Sequence, residues 1–185
     1  MQLTELAHDY LTKHLHHGDL AIDATAGNGH DTLKMAELVG PDGRVVAIDI
    51  QASAISATSL RLSDADQLAR CELIEGDHAN TLEGLANEHS NQAAAITFNL
   101  GYLPGSDKSI QTTPASTLTA LDAAARLLKS GGILLVTAYR GHEGGLAESE
   151  SVAQWMHVKE AQGWEVESHE PKANRIPPIL WVLKK

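Results

Sequence analysis

The segment Asp23-Ala24-Thr25-Ala26-Gly27-Asn28-Gly29, residues 23–29, decides the fold of this chain of 185 residues. A short apolar run, Leu20-Ala21-Ile22, precedes it, and a helical pattern from Thr32 to Leu38 follows it. Glycines in such a turn permit positive φ angles and let the backbone approach a ligand closely. The segment therefore predicts a strand, a tight loop and a helix, which is where doubly wound sheets bind nucleotides. An ordinary strand-to-helix turn also needs a glycine, so the loop alone does not identify a ligand.

Strands and helices alternate along the rest of the chain. Apolar, β-branched runs follow segments of helical periodicity, which predicts an α/β fold with a mainly parallel sheet. The last two strands have no helix-length segment between them, so we expect an antiparallel hairpin at the sheet edge. We expect one doubly wound, Rossmann-like domain over residues 1–185. The predicted strands cover 20–22, 44–50, 71–75, 93–100, 133–139, 164–169 and 179–183, and the predicted helices cover 3–15, 32–38, 53–62, 80–88, 114–128 and 148–163.

The composition is that of an acidic protein. Lys and Arg number 14 against 24 Asp and Glu, which gives a formal net charge of −10 at pH 7. This charge argues against a large basic face that binds nucleic acid through many phosphates. No apolar stretch approaches the roughly 20 residues needed to cross a bilayer, so we expect a cytoplasmic protein without a membrane partner.

The cysteine and the clustered histidines, the side chains that could bind a metal, do not form a metal site. Cys71 is the single cysteine, so no intrachain disulfide or thiolate metal cluster can form. His14, His16 and His17 are close in sequence, but no carboxylate or further histidine follows at a matching spacing on that element. We interpret them as a solvated helix end and expect no metal.

Acidic residues stand at the ends of the first three predicted strands, at Asp23, Asp49 and Asp77. Asp49 lies 20 residues after Gly29, where a carboxylate accepts hydrogen bonds from both ribose hydroxyls of a nucleotide. Asp77 stands where methyltransferases place a carboxylate against the adenine amino group, although an aspartate that caps the next helix is the alternative. Nicotinamide enzymes share part of this arrangement, but Thr32 replaces the third Gly or Ala of their fingerprint. An acid four residues before the first glycine suits a methyltransferase, and Asp23 would then engage the amino end of methionine, directly or through water.

The fourth strand ends in Asn99-Leu100-Gly101-Tyr102, where methylation chemistry would take place. The spacing resembles the Asn-Pro-Pro-Tyr loop of amino methyltransferases, in which the Asn oxygen and a neighbouring carbonyl accept hydrogen bonds from the target nitrogen. Such acceptors orient the lone pair for in-line attack on a sulfonium methyl group and stabilise the charge that develops. Here Leu100 and Gly101 replace both prolines, and a structural Asn in a turn is the alternative. We predict Asn99 and Tyr102 as catalytic residues.

Several segments together resemble one bacterial family, the one described as "putative rRNA methylase". Its members resemble class I methyltransferases that use S-adenosylmethionine, and some methylate the aminomethyl group on the wobble uridine of tRNA, completing 5-methylaminomethyl-2-thiouridine. The resemblance covers almost the whole chain, with Arg140 in place of a usual proline. The segments that carry it are DATAGNGHDT at 23–32, AIDIQ at 47–51, FNLGYLPGSDK at 98–108 with Thr112-Thr113, Tyr139 to His142 and Asn174 to Pro178.

The resemblance implies S-adenosylmethionine as cofactor and a role for each segment. The glycine loop would hold the methionine end, the end of the second strand the ribose, and the end of the third strand the adenine. The implied cofactor residues are Asp23, Ala26, Gly27, Asn28, Gly29, His30, Asp31, Asp49, Ile50, Gln51, Asp77, His78, Asn99 and Leu100. The implied substrate-binding residues are Gly101, Lys108, Tyr139, Arg140, His142, Asn174 and Arg175.

The implied partner is the anticodon loop of a tRNA, despite the acidic composition. A wobble nucleotide already lies exposed in a loop, so the enzyme need not extrude it from a duplex and a small basic patch suffices. Exposed Trp155 or Trp181 at a sheet edge would favour a homodimer. Candidates for the patch, otherwise ordinary solvated residues, are Lys108, Arg140, Lys172 and Arg175.

Other functions remain as alternatives. The acceptor could be rRNA or a small-molecule amine. An NAD-dependent oxidoreductase would place a Tyr-Lys or His pair beside the nicotinamide, and no such pair is evident. A noncatalytic nucleotide-binding module would not need an ordered acceptor loop after the fourth strand.

Overall fold

The computed structural model describes residues 2–101, 112–172 and 176–185. Within these residues the protein forms a seven-stranded sheet in the order β3-β2-β1-β4-β5-β7-β6, with helices on both faces. The strands are β1 (Leu20–Asp23), β2 (Arg44–Asp49), β3 (Cys71–Glu75), β4 (Ala93–Leu100), β5 (Leu128–Ala138), β6 (Glu165–His169) and β7 (Ile179–Lys184). The helices are α1 (Leu3–His14), α2 (His30–Val39), α3 (Ala52–Asp64), α4 (His78–Glu88), α5 (Pro114–Leu127) and α6 (Gly145–Ala161), with a short 3₁₀ helix at Leu68–Arg70.

The strand order reverses at β1, which lies parallel to both of its neighbours. Ile22 pairs with Val46 of β2 on one side and with Ile96 of β4 on the other. The carboxyl ends of these strands therefore meet at one edge of the sheet, and ligands of doubly wound folds bind at such a reversal. The predicted α/β fold and mainly parallel sheet are confirmed.

The predicted antiparallel hairpin is also confirmed, with β7 inserted between β5 and β6. Val182 of β7 pairs with Leu135 on one side and Glu167 on the other, and both pairings are antiparallel. The edge of the sheet is thus β6. Several predicted boundaries differ by a few residues, and the start of β5 differs most: β5 begins at Leu128 and includes the glycines at 131–132, which we expected to lie between helix and strand.

The two faces of the sheet have separate apolar cores. Met35 of α2 and Leu62 of α3 pack with α1 on one face. Leu82 of α4, Leu121 of α5 and Met156 of α6 pack on the other. Burial of both faces explains why the central strands are continuous apolar runs instead of alternating patterns.

Gly29 is required where the first loop enters α2. Its φ is +76°, and a Cβ atom there would lie 2.9 Å from the Cα of Thr58 in α3. A larger residue would strain the backbone and separate the two helices. This close approach brings α3 against the loop that opens the site.

The expectation of an exposed tryptophan is wrong. Trp155 and Trp181 are 8% and 7% exposed. The Trp155 indole donates to Asp122 Oδ1 at 2.8 Å, and the His157 ring packs edge-on against Trp181 at 5.8 Å between centroids. Both residues belong to the core of the α6 face, so they give no support to a dimer.

The described part of the chain contains no helix with the length and apolar character needed to span a membrane. It also contains no group of three His, Cys, Asp or Glu side chains that could hold a metal ion. His14 instead bonds the Tyr10 carbonyl through Nδ1 at 2.9 Å, within its own helix.

Two glycine substitutions should change stability in opposite directions. A Cβ at Gly132 would lie 2.9 Å from the carbonyl oxygens of Ala93 and Lys129, so Gly132→Ala should lower the free energy of unfolding by roughly 1–3 kcal/mol. Gly84 lies in α4 with open space around its Cβ position, so Gly84→Ala should raise that free energy by about 0.5–1 kcal/mol. Urea unfolding of both variants checks the pair. Equal midpoints would contradict the packing described for β4 and β5.

Candidate active site

A cavity of about 820 Å³ opens at the carboxyl ends of the central strands. This volume lies within the usual range for small-molecule sites. Its wall combines the loops after β1 to β5 with Thr4 of α1. The predicted site residues that line it are Ala26, Gly27, Asn28, His30, Asp31, Asp49, Ile50, Gln51, Asp77, His78, Asn99, Gly101, Tyr139, Arg140 and His142.

Asp23 lies beneath the glycine loop and is fully buried. Its carboxylate accepts hydrogen bonds from Thr32 Oγ1 at 2.6 Å, Thr97 Oγ1 at 3.3 Å and the Thr25 backbone N–H at 3.3 Å. Burial raises the pKa of Asp23 to about 7, and the nearby negative charge of Asp31 adds to the shift. Asp23 is not among the residues that line the cavity, and its hydrogen bonds hold the loop above it; its contact with a methionine amino group, directly or through water, stays a prediction.

Two further predicted residues lie behind the wall. Gly29 packs on Thr58, and the Leu100 side chain is fully buried in the core. The Leu100 carbonyl accepts a hydrogen bond from the Tyr139 N–H at 3.1 Å. The remaining predicted residues, Tyr102, Lys108, Asn174 and Arg175, lie outside the described residues.

Some wall residues were missed by sequence reasoning. Thr4 belongs to α1, and a helical pattern gives no sign that its first turn will reach a site. Thr112 and the 176–178 segment lie in stretches that carried the family resemblance, so that signal was present but was assigned no role. The missed wall residues are Thr4, Ala24, Thr25, Gly76, Thr112, Ser116, Gly141, Ile176 and Pro178.

Asp49 fixes the glycine loop to the end of β2. The Ala26 N–H donates to the Ile48 carbonyl at 2.8 Å, and the Gly27 N–H donates to Asp49 Oδ2 at 2.9 Å. The other oxygen, Oδ1, accepts from the Gln51 N–H at 2.9 Å. A carboxylate oxygen accepts more than one hydrogen bond, so both oxygens keep capacity for a ligand hydroxyl.

The end of β3 carries two polar groups in the wall. Asp77 caps α4, because its side chain accepts a hydrogen bond from the Asn80 N–H at 3.0 Å. Asp77 also lines the cavity, so the capping role does not exclude contact with a ligand. His78 Nε2 is buried and has no hydrogen-bond partner among the described residues. The His78 ring packs edge-on against Phe98 at 5.8 Å, and burial lowers the pKa of His78.

Asn99 is held from two sides at the end of β4. Its backbone N–H donates to Thr25 Oγ1 at 2.7 Å, and its side chain Nδ2 donates to Asp31 Oδ2 at 2.7 Å. His8 Nε2 of α1 lies 2.7 Å from the other oxygen, Asp31 Oδ1. Burial alone would raise the pKa of Asp31, but the hydrogen bonds from His8 and Asn99 outweigh it and lower that pKa.

Hydrogen bonds join the two residues that flank segment 102–111, and a buried glutamate supports one of them. The Gly101 N–H donates to Thr112 Oγ1 at 2.9 Å, and the Thr112 N–H donates to the Gly101 carbonyl at 3.1 Å. Thr112 Oγ1 donates in turn to Glu148 Oε2 at 2.7 Å, while Thr117 Oγ1 donates to Glu148 Oε1 at 2.6 Å. These bonds therefore fix Gly101 and Thr112, the described residues on either side of segment 102–111, relative to each other.

Arg140 uses its guanidinium within the chain. Nε donates to the Pro177 carbonyl at 2.7 Å, and Nη2 donates to Glu170 Oε1 at 2.6 Å. These bonds hold the segment before β7 against the cavity, where Ile176 and Pro178 line the wall. A role in binding phosphate would compete with both bonds.

Comparison with known proteins places this site in a family. Residues 45–184 match the family model described as "Putative rRNA methylase". The chloroplastic tRNA (mnm(5)s(2)U34)-methyltransferase of Arabidopsis thaliana is 41% identical over 188 residues, which cover 98% of this chain and 69% of the relative. The chain belongs to the family of that model. Residues 1–88 also match the model of protein-L-isoaspartate O-methyltransferase, so the N-terminal part of the chain resembles a methyltransferase as well.

Solved structures agree with this assignment. A "putative rRNA-methylase" from Clostridium thermocellum is 38% identical with a TM-score of 0.90, and the match covers 98% of this chain and 96% of that one. A "putative methyltransferase" from Streptococcus mutans, solved in complex with SAH, is 32% identical with a TM-score of 0.86, covering 100% and 98%. This member of the methylase family is an S-adenosylmethionine-dependent methyltransferase.

The cavity residues fit that cofactor. Ile50 is 57% exposed at the wall, an apolar surface that a nucleobase can cover. His78 Nε2, which no residue in the described part of the chain bonds, lies near the same strand ends, and a buried polar atom without a partner is costly unless a ligand bonds it. Asp49 offers the acceptor oxygens that a ribose needs.

Replacing Asp49 should weaken cofactor binding. Asp49→Ala would remove the predicted ribose acceptors and also releases the Gly27 N–H, so S-adenosylmethionine affinity should fall by about tenfold to a hundredfold, the scale of about 1.5–3 kcal/mol for hydrogen bonds to a charged group. Calorimetric titration measures this, with Glu75→Ala, an exposed carboxylate at the end of β3, as the matched control. Unchanged affinity in Asp49→Ala would mean that the ribose is held elsewhere.

Proposed function

We propose that this enzyme methylates the 5-aminomethyl group of the wobble 2-thiouridine of tRNA. The observation that carries the proposal is the match, along almost the whole chain, to a relative named for the modified nucleoside at tRNA position 34. The Asn99 amide at the cavity wall supports it, because an acceptor oxygen at the end of β4 suits a nitrogen nucleophile. The family description favours rRNA as the second candidate.

The acceptor amine reacts through its lone pair. S-adenosylmethionine supplies the methyl group when bound, as a nitrogen–carbon bond forms and the sulfur–carbon bond breaks. Asn99 Oδ1 would accept a hydrogen bond from the amine, orient the lone pair and stabilise the positive charge that appears on nitrogen. The amine must be neutral to react, so the rate should rise with pH until the amine is deprotonated.

The remaining wall residues divide between cofactor and acceptor. Asn28, His30 and Asp31 line the cavity and would hold the methionine end, and Gln51 follows Asp49, which would hold the ribose. Asp77 and His78 would flank the adenine. On the acceptor side the predicted residues within the described part of the chain are Gly101, Tyr139, Arg140 and His142, and those outside it are Tyr102, Lys108, Asn174 and Arg175.

The mouth of the cavity suits a single unpaired base. Tyr139 and Ile176 line the cavity and remain 44% and 55% exposed. Bases stack on aromatic side chains whatever their sequence, and such stacking contributes about 1–3 kcal/mol per base. Base contact at the mouth lets an acidic protein bind a flipped-out anticodon nucleotide without an extended basic face.

The substrate is tested with RNA from cells that lack the gene. Their tRNA should accumulate 5-aminomethyl-2-thiouridine, and the purified enzyme with S-adenosylmethionine should convert it to the methylated nucleoside. Mass spectrometry of nucleosides from tRNA and rRNA measures both. Methyl transfer to rRNA with none to tRNA would overturn the proposal and favour the second candidate.

Asn99 should act on the chemical step. Asn99→Ala removes one acceptor to the developing charge, so kcat should fall by roughly 100-fold while S-adenosylmethionine affinity changes little. Single-turnover rates on the aminomethyl-bearing tRNA measure the effect. Asn87→Ala, an exposed asparagine of α4, is the control and should keep the wild-type rate. A wild-type rate in Asn99→Ala would leave Asn99 a structural residue.

A further inference from the structure

The first helix brings two polar side chains to the active site. Ala7 and Leu11 of α1 are buried against the sheet, while Thr4 and His8, one helical turn apart, lie on the side that meets the cavity. His8 Nε2 bonds the Asp31 carboxylate at 2.7 Å, across 23 residues of sequence. The helix therefore does more than cover the sheet.

The need to match each hydrogen-bond donor with an acceptor fixes the orientation of His8, Asp31 and Asn99. The pKa of Asp31 is lowered, so the carboxylate is ionised near neutral pH and can only accept hydrogen bonds. His8 must then carry a proton on Nε2, and Asn99 must direct its NH₂ group toward Asp31. The Asn99 oxygen is thereby turned away from Asp31, and none of the described residues is hydrogen-bonded to it.

The charge of Asp31 also strengthens the acceptor. A hydrogen bond from an amide NH₂ to a carboxylate draws electron density toward the amide oxygen, and bonds in such networks reinforce one another. His8 keeps one carboxylate oxygen in place and offsets its burial. The other groups that act electrostatically on Asp31 are His30 of α2, the buried Asp23 below it and Tyr139 after β5.

We propose that His8 is a positioning residue for methyl transfer: through Asp31 it holds the Asn99 amide with its oxygen facing the acceptor amine. The inference rests on the proposed role of Asn99. The bond from His8 to Oδ1 fixes the position of the Asp31 carboxylate, whereas a carboxylate without that bond can rotate away from Asn99 and release the amide. His8 thus acts on the rate through two intervening bonds and touches neither substrate nor reacting atoms.

The attachment of α1 does not depend on His8. Leu11 and Leu15 are buried in the core of that face, and the Tyr10 hydroxyl donates to Glu167 Oε2 at 2.7 Å. The same hydroxyl lies 3.0 Å from His169 Nε2. Replacing His8 should therefore leave the helix in place and change the active site alone.

Variants of His8 separate positioning from packing. His8→Ala removes the donor and should lower kcat by about tenfold, the scale of one hydrogen bond to a charged group, with S-adenosylmethionine affinity within twofold. His8→Gln keeps a donor at the place of Nε2 and should retain most of the rate. Asp9→Ala, an exposed neighbour on α1, is the control. Single-turnover methylation of aminomethyl-bearing tRNA and calorimetric titration of the cofactor measure both quantities.

A double-mutant cycle tests whether His8 acts through Asn99. In an Asn99→Ala background, His8→Ala should change the rate by less than about twofold, because the amide that it orients is gone. An equal loss in both backgrounds, weakened cofactor binding with an unchanged rate, or failure of His8→Gln to restore the rate would overturn the inference. A wild-type rate in His8→Ala beside a slow Asn99→Ala would overturn the inference about His8 and leave the proposed role of Asn99 intact. A wild-type rate in Asn99→Ala would overturn both.

Discussion

The loop between β1 and α2 is bonded to the strands on both sides of it, and the active site depends on those bonds. The Ala24 N–H donates to the Thr97 carbonyl of β4 at 2.9 Å, and the Gly27 N–H donates to the Asp49 carboxylate of β2 at 2.9 Å. Thr25 Oγ1 accepts the Asn99 N–H at 2.7 Å. The loop therefore sets the distance between the end of β2 that carries Asp49 and the end of β4 that carries Asn99. Methyl transfer needs the two reactants at a near-attack separation, so under the proposed function this loop would control the geometry of the reaction.

Features that depend on local pattern were predictable from the sequence. The strand-loop-helix at the glycines, the acid at the end of β2 and the final hairpin follow from periodicity and spacing. Contacts between distant elements were not: His8 meets Asp31 across 23 residues, and Asn99 meets Asp31 across 68. Asp23 shows the limit in another way. Its place before the glycines can be read from the motif. The sequence gives no measure of how deeply its carboxylate is buried among the threonines that bond it.

Two neighbouring carboxylates are kept in different protonation ranges by their surroundings. Asp23 lies fully buried and its pKa is raised to about 7, whereas the hydrogen bonds of His8 and Asn99 lower that of Asp31. The carboxylate in the wall beside Asn99 is therefore Asp31, and its negative charge is offset by hydrogen bonds from His8 and Asn99. A stronger negative field there would favour the protonated amine, which cannot react. If the substrate is the proposed amine, the bonds from His8 and Asn99 let Asp31 hold Asn99 without stabilising the protonated, unreactive form of that amine.

The bonds that join Gly101 to Thr112, and Thr112 to the buried Glu148, have an evolutionary consequence. They complete the fold on either side of segment 102–111, using Glu148 of α6 as a support outside that segment. Pairs that precede the first of these bonds, such as Asn99 with Thr137 and Leu100 with Ala138, set the register of β4 against β5. Selection therefore acts on Gly101, Thr112 and Glu148 as one unit, because a change in any of them would disturb the same set of bonds beside the sheet.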